Sequence, residues 1–498
     1  MVIWSALQLL LTPQVLLVMA ASALYGLVVG AIPGFSAAMA VALMVPVTYF
    51  LEPVPALAGV VTLCAMAIFS GDIPGALLRI PGTPASAAYA DEAYKMTQKG
   101  RAGEALGTGL ICSAIGGIFG AVVLLLVAPS LSELALLFST PEYFWLAALG
   151  LTAAIGVSAS APAKGVISLC LGLGVAFVGL DPVSGQPRFT FGQSDLAGGI
   201  GFIPVLIGLF AMSEVFRFAL EPGGARERTA VVVGGLFDGV GRNLKRHFGR
   251  ILQGCGLGTV IGAVPGAGAD IAGYMSYALA RQQSKTPEKF GTGVPDGIAA
   301  ASAANNASMG GALVPATVFG IPGDSLTAVI IGVLYMQGLT PGPQVFLMQP
   351  ELITSVFLAF LLANVMIVPF GFLAIRIFRY VLAVPRSILM PMVVAACIAG
   401  AFAVENTTFA VVVMLGAGLV GFWMEENDIP LAPAILGVVL APVLEANFLN
   451  TLIKSQGDMT AFVNRPLAAV LATVTILIWL FPLLRRVLRL RRRSEARS

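Results

Sequence analysis

The sequence predicts an all-α polytopic membrane protein of roughly a dozen transmembrane helices, built as two inverted-topology repeats with broken helices and helical hairpins. Three observations predict it. Of 498 residues, 58% are hydrophobic and 11% charged, where a soluble domain carries about a quarter charged. Apolar runs long enough to cross a bilayer, about 20 residues each, recur from end to end. "GAIPG" at 30–34 returns as "GAVPG" at 262–266, so the same helix-breaking pentapeptide stands twice within apolar sequence.

Such runs stand at 105–128, 141–158, 163–180, 200–220, 351–375 and 465–484, with further spans near 387–403, 406–424 and 430–444. The first apolar run has no basic leading segment or small-residue cleavage site, so it reads as retained structure. Cys64, Cys112, Cys170, Cys255 and Cys397 lie in or beside apolar runs without metal-type spacing and read as small core residues. The chain divides into a first repeat core (1–104), first scaffold helices (105–220), a basic cytoplasmic loop (221–250), a second repeat core (251–344), second scaffold helices (345–484) and a basic tail (485–498).

Charge placement sets the sides. The tail, "RRVLRLRRRSEARS", carries seven arginines and one glutamate. Directly after a span it marks the cytoplasmic face, where Lys and Arg accumulate; beside so much lipid-facing sequence a nucleic-acid role has little support. Four other basic clusters fit the same side: Lys95, Lys99 and Arg101; the group from Arg226 to Arg250; Arg281, Lys285 and Lys289; and Arg376, Arg379 and Arg386.

Laying 26–40 on 258–272 aligns Gly26, Gly30, Pro33 and Gly34 with Gly258, Gly262, Pro265 and Gly266. "PGALLRIPGT" (74–83) aligns likewise with "PATVFGIPGD" (315–324). Two motifs in the same order in both halves indicate a duplication. Glycines spaced by four let helices approach closely in lipid, which is the plain structural reading of the stripe. Pro-Gly breaks a helix, because proline removes a backbone donor and glycine opens other conformations. At membrane depth the freed N–H and C=O groups must be received by protein or a water-filled cavity, so four breaks imply a protected interior site. In the first half the basic residues follow the second break; in the second half they lie between the breaks, while "VTYFLEPVPA" and "MQGLTPGPQVF" have none. That reversal predicts matching loops on opposite sides.

Half-helix N-termini, partly positive, would then face a substrate anion. The substrate contacts expected are Gly30, Pro33, Gly34 and Ser36; Arg79, Pro81, Gly82 and Thr83; Gly262, Pro265, Gly266 and Gly268; Asn305 and Asn306; and Pro322, Gly323 and Ser325. An amide offers both a carbonyl and two N–H donors, so Asn305 and Asn306 suit Na⁺ by oxygen and a carboxylate by nitrogen; caps or interhelical bonds are the alternative. Asp72, Asp270 and Asp324 stand at the breaks as cation-coupling candidates beside the two asparagines, with Na⁺ expected at Asn305, Asn306 and Asp270. A capping role is the alternative for Asp270 and Asp324. Asp72 and Arg79, seven residues apart, would pair on one helix face; Arg79 would otherwise fork onto a substrate carboxylate. Thr83, Ser86, Ser325 and Thr327 flank the IPG turns as ligands or caps. His247, the single histidine, reads as a loop residue.

The motifs "GAIPGFSAA", "IPGTPASAAYADEAYKMTQKGRAGEALG", "GAVPGAGADIAGYMSYALARQQSKTPEKFGTG", "AANNASMGGALVPATVFGIPG" and "GLTPGPQVF" resemble the large membrane subunit of the bacterial tripartite tricarboxylate transporters over nearly the whole chain. The resemblance implies cation-driven uptake of a carboxylate across the inner membrane with Na⁺ or H⁺ as coupling ion and no cofactor. It also implies a periplasmic solute-binding protein and a small four-span subunit as partners. Glu92 and Lys95 stand where members carry glycine and proline, Ser302 where they carry glutamate, and Arg79 where they often carry asparagine.

No lysine follows a glycine, so no phosphate loop ends in Gly-Lys and ATP-driven pumping is not expected. An intramembrane aspartyl protease would need a glycine-aspartate motif, and "PGAGAD" has an extra alanine before Asp270; no enzyme is expected. A stand-alone carboxylate symporter or channel remains the alternative within transport. Cysteines introduced at Phe50 and Lys285 should label from opposite sides of the membrane, and labelling from one side would remove the inverted repeat.

Overall fold

The computed structural model describes residues 2–32, 35–80, 82–157, 162–181, 184–220, 235–265, 268–381 and 386–479. Pro33, Gly34, Pro81 and Gly266, residues 221–234 of the expected 221–250 loop and the 485–498 tail lie outside the described residues. Nearly everything described is helical. Seven of the described helices are long and apolar enough to cross a membrane, and five more apolar helices are shorter. The chain forms two compact units, 1–133 with 201–431, and 134–200 with 432–498.

The first unit opens with α1 (Val2–Leu10), α2 (Pro13–Gly30), α3 (Ala37–Thr48), α4 (Pro53–Ser70), α5 (Asp72–Leu78), α6 (Ala87–Gln98) and α7 (Ala102–Ala135). Sequence sets their starts: Thr12 accepts from the Val15 N–H ahead of Pro13, and Ser36 accepts from the Met39 N–H. Short polar caps satisfy N–H groups that the first turn leaves free. In the second unit α8 (Thr140–Val157) and α9 (Pro162–Ala176) lead through a two-residue hairpin, Gly179–Leu180 with Pro187–Arg188, to α10 (Ser194–Ala197). The first unit resumes with α11 (Phe202–Ile207), a π-turn at Gly208–Met212 and α12 (Ser213–Leu220). It continues through α13 (Val240–Gly262), α14 (Gly268–Gln282), α15 (Pro295–Phe319), α16 (Ser325–Met336), α17 (Pro343–Met348), α18 (Pro350–Val381), α19 (Arg386–Glu405) and α20 (Thr408–Glu426). The second unit closes with α21 (Leu431–Lys454) and α22 (Pro466–Trp479). Within it Arg465 binds the buried Glu142 at 3.0 Å, and Trp145 Nε1 donates to the Phe462 carbonyl at 2.8 Å.

The duplication is visible as geometry. The series α2, α3, α4, α6, α7 returns as α13, α14, α15, α16, α18, broken at the same places. Contacts between the copies are reciprocal. Half-helix α3 packs on α16 while α14 packs on α6, α6 meets α15 as α16 meets α4, and α4 and α15 touch each other. Such exchange is the signature of a two-fold relation between repeats.

Glycines make the same approaches twice. A Cβ on Gly26 or Gly258 would run into the carbonyl of Leu63 or Ala304, and one on Gly30 or Gly262 into the backbone of Ala67 or Ser308. At the breaks, a Cβ on Gly82 would stand 2.8 Å from the Gly30 carbonyl, and one on Gly323 2.7 Å from that of Gly262. Each IPG turn therefore rests on the end of the GxxPG helix of its own repeat. The stripe and the turn glycines are packing positions where only hydrogen fits.

Two residues differ from the reading of the sequence alone. Cys170 is exposed while the other four cysteines are buried; an outward apolar face is ordinary on a helix that meets lipid. His247 is a buried residue of α13 whose Nδ1 lies 2.7 Å from Asp296 Oδ1 at the start of α15. The helix reaches further into the basic segment than its charges suggest, because one face of it is buried on α15.

Gly262→Val should lower the thermal-unfolding midpoint of the detergent-solubilised chain, an overpacking cost of about 1–3 kcal/mol. Gly256→Val, where nothing lies within 4 Å of the added carbon, should not, and equal midpoints would contradict the close approach.

Candidate functional site

Where the α5–α6 hairpin of the first repeat meets α15 of the second, buried polar side chains gather. Gly71 ends α4 and Asp72 opens α5, so a kink carries the carboxylate into the protein. Tyr89 comes from α6, and Ser302 and Asn305, three apart on one helical face, come from α15. The Tyr89 hydroxyl donates to Asp72 Oδ1 at 2.5 Å and accepts from Asn305 Nδ2 at 3.4 Å. Ser302 lies beside it. Asp72 is 7% exposed, and Tyr89, Ser302, Asn305 and Asn306 are at most 2%. Asp72 Oδ2, Ser302 Oγ, Asn305 Oδ1 and both amide atoms of Asn306 make no hydrogen bond among the described residues. A small cavity lined by Asp72, Ser86, Tyr89, Gly109 and Ile298 opens beside the cluster.

The predicted ion pair between Asp72 and Arg79 is not made. Helix α5 ends at Leu78, and Arg79 takes the left-handed conformation at its C-cap (φ 60°), which turns its side chain away from the helix face a continuous spacing assumes. Gly320 holds the matching cap in the second repeat (φ 69°). Left-handed backbone costs a non-glycine residue roughly 1–2 kcal/mol. Arg79 binds Asp91 at 2.7 Å, both side chains exposed, while Asp72 takes its hydrogen bond from a tyrosine.

The turn hydroxyls and Asp324 cap helices. Thr83 and Ser86 exchange backbone-to-side-chain bonds at 3.2 Å ahead of α6. Asp324 and Thr327 form the same capping box at 2.8 and 2.9 Å ahead of α16. With Ser36 on α3, two half-helix N-termini thus carry side-chain caps from within the chain, one of them acidic, while Thr83 and Ser86 close the turn ahead of α6. Gly268 opens α14 at φ 56°, its Cβ position 2.8 Å from Asp324 Cβ. Asp270 stands in the first turn of α14, and its side chain is outside the described set. Pro265, Pro322 and Ser325 lie in or beside the turns. Asn305 and Asn306 sit inside a continuous helix and cap nothing.

Sequence reasoning passes over Tyr89, whose only signal is its place three residues after Ser86 on one face of a short helix. It also leaves Glu92 unexplained. That buried carboxylate on α6 accepts the Gly293 and Val294 N–H groups at 2.6 and 2.9 Å, the Tyr277 hydroxyl at 2.9 Å and the Gly291 N–H. Lys95 and Lys99 donate to the carbonyls of Gly291 and Thr292 in the same loop. Glu92 and Lys95 together clamp the α14–α15 connection of the second repeat to the first. Among the described residues no three of His, Cys, Asp or Glu come together as a metal site.

Long apolar helices, two interleaved broken-helix repeats and a buried polar crossing define a multi-pass membrane protein of the transporter class. The chain belongs to the tripartite tricarboxylate transporter TctA family, whose family model matches residues 16–436. This is a family of transporters and not of enzymes. The chain is 34% identical over 465 residues to the "Uncharacterized 52.8 kDa protein in TAR-I ttuC' 3'region" of Agrobacterium vitis, covering 93% of this chain and 92% of that one. It is 32% identical over 231 residues to the "Uncharacterized protein in TAR-II ttuC' 3'region" of the same organism, covering 46% of this chain and 96% of the other. No solved structure matches the chain.

Tyr89→Phe should lower the thermal stability of the purified chain by about 1–3 kcal/mol, the cost of leaving a buried acceptor without its donor. An unchanged unfolding midpoint would mean that the hydroxyl does not hold Asp72.

Proposed function

We propose that this chain is the membrane-embedded translocation subunit of a binding-protein-dependent, cation-coupled secondary transporter that imports a carboxylate such as a tricarboxylate or dicarboxylate. Membership of the TctA family supports this. The observation that carries it is the set of buried polar atoms of Asp72, Ser302 and Asn305 without partners among the described residues at the crossing of the two repeats, with those of Asn306 on the same helix, since polar groups kept inside a membrane protein mark substrate and ion pathways. The Asn306 amide supplies N–H donors suited to a carboxylate oxygen. Of the four half-helix N-termini, α16 is the least suited to hold the anion, because Asp324 already places a carboxyl group there.

On this reading a periplasmic solute-binding protein delivers the substrate and a small four-span subunit accompanies the chain. The chain sits in the bacterial inner membrane with its C-terminus in the cytoplasm. Alternating access comes from rocking one repeat against the other around the crossing, driven by Na⁺ or H⁺.

Uptake of radiolabelled citrate and succinate by cells expressing the chain with its small subunit and its binding protein tests the reading. Transport should require the binding protein. Asn306→Ala should reduce it about tenfold or more, since hydrogen bonds to charged groups contribute roughly 1.5–3 kcal/mol, with the same amount of chain in the membrane. Transport by the chain alone would remove the tripartite assignment, and full transport in Asn306→Ala would remove the anion contact.

A further inference from the structure

The Asp72 cluster presents three oxygen atoms that take part in no hydrogen bond among the described residues. We propose that Asp72 Oδ2, Ser302 Oγ and Asn305 Oδ1 are the ligands of a sodium ion, with Tyr89 as a positioning residue; the proposal rests on the reading of the chain as a cation-coupled transporter. Buried polar atoms are nearly always hydrogen-bonded. Here three oxygens without a hydrogen-bond partner among the described residues, one of them a hydroxyl that can also donate, come from three residues on two helices of different repeats. Two of them face one space: a Cβ added to Gly109 on α7 would stand 3.6 Å from Ser302 Oγ and 3.7 Å from Asp72 Oδ2, and Asn305 is tied to the same cluster through Tyr89. The side-chain hydrogen of Gly109 leaves that volume open. The Tyr89 hydroxyl, fixed between Asp72 Oδ1 and the Asn305 amide nitrogen, leaves the second carboxylate oxygen and the amide oxygen unengaged.

The donor set selects the ligand. One carboxylate, one hydroxyl and one amide carbonyl are hard oxygen donors with a single negative charge, which suits a monovalent cation and leaves the site neutral. A proton on Asp72 together with the Ser302 hydroxyl hydrogen would supply two donors to the same oxygens, and the sodium titration at fixed pH separates that arrangement from a bound ion. A coordinated cation serves all three at once.

The duplication gives an internal comparison. At the offset that lays Pro315 on Pro74, the counterparts of Asp72 and Tyr89 are Leu313 and Ile330, and those of Ser302 and Asn305 are Val61 and Cys64. The four counterpart positions are therefore apolar, although the Asp324 carboxylate stands near Cys64 there, so the backbone crossing does not itself require polar groups at these positions. An ion held here bridges the first repeat's hairpin and the second repeat's α15. Its occupancy is thereby linked to the arrangement of the two repeats, as coupling between ion and motion demands.

Thermal unfolding of the purified full chain, followed by tryptophan fluorescence during NaCl titration at ionic strength held constant with choline chloride, tests the site. Sodium should raise the midpoint saturably where potassium does not. Asp72→Asn should weaken the half-saturating concentration at least about tenfold, and Ser302→Ala and Gly109→Ala several-fold. Those last two variants remove an unbonded atom or add a methyl at ordinary contact distance, so they fold even where Asp72→Asn does not. Absence of a sodium-specific rise, a rise that follows pH alone, or wild-type sodium dependence in Ser302→Ala and Gly109→Ala would overturn the proposal. No carboxylate or binding protein enters the measurement, so loss of the sodium response with carboxylate uptake intact removes only the ion site, and the reverse result removes only the transport reading.

Discussion

Everything in the first unit depends on backbone meeting backbone at the breaks. In each repeat the carbonyl that ends the first helix, Gly30 or Gly262, lies against the glycine of the following IPG turn, Gly82 or Gly323. A side chain at either turn would push the two apart, and the polar groups freed by the break would lose their protein surroundings. Inside a bilayer no water stands ready to replace them. The glycines thus set how near the broken segments come, and nearness lets the caps at Ser36 and Asp324 finish their half-helices from within. The fold tolerates interruption because each interruption is covered by its neighbour.

Duplication repeated this backbone and left the side chains free to diverge. Both copies keep the helix order, the left-handed cap before the IPG turn and the capping box after it. The two copies of the crossing carry different polar groups, Asp72, Tyr89, Ser302 and Asn305 in one and Asp324 near Cys64 in the other. The two-fold relation supplies two equivalent scaffolds with different side chains, so the symmetry of the frame is not a symmetry of its polar groups. The second unit holds itself together by other means, with Arg465 on Glu142, Arg188 on Glu445 and Trp145 on the Phe462 carbonyl.

Much of this is legible in the chain. The breaks are written as Pro-Gly pairs within apolar runs, and their recurrence in order reveals the two halves before any helix is seen. Asn305 stands out because an amide amid alanines has few structural reasons to be there. The partner of Asp72 is not legible, because a seven-residue spacing implies one helix face only while the helix continues, and Arg79 turns left-handed instead. Arginine in a glycine's conformation carries no local signal. Glu92 is equally silent, since its partners are backbone N–H groups of a loop about two hundred residues on. Composition also hides α15: alanine, glycine, serine and asparagine keep it below the hydropathy of a span, yet it is buried along nearly its whole length.

The grip of Glu92 on the loop before α15 has a mechanical consequence. The first repeat's second hairpin and the second repeat's connecting loop are tied through one carboxylate, and the two lysines add their own ties to that loop. Pulling them apart would leave the buried Glu92 carboxyl without the donors of Tyr277, Gly291, Gly293 and Val294, and unsatisfied buried groups cost about 1–3 kcal/mol each. On the proposed transport reading, the two pieces move together or these bonds break.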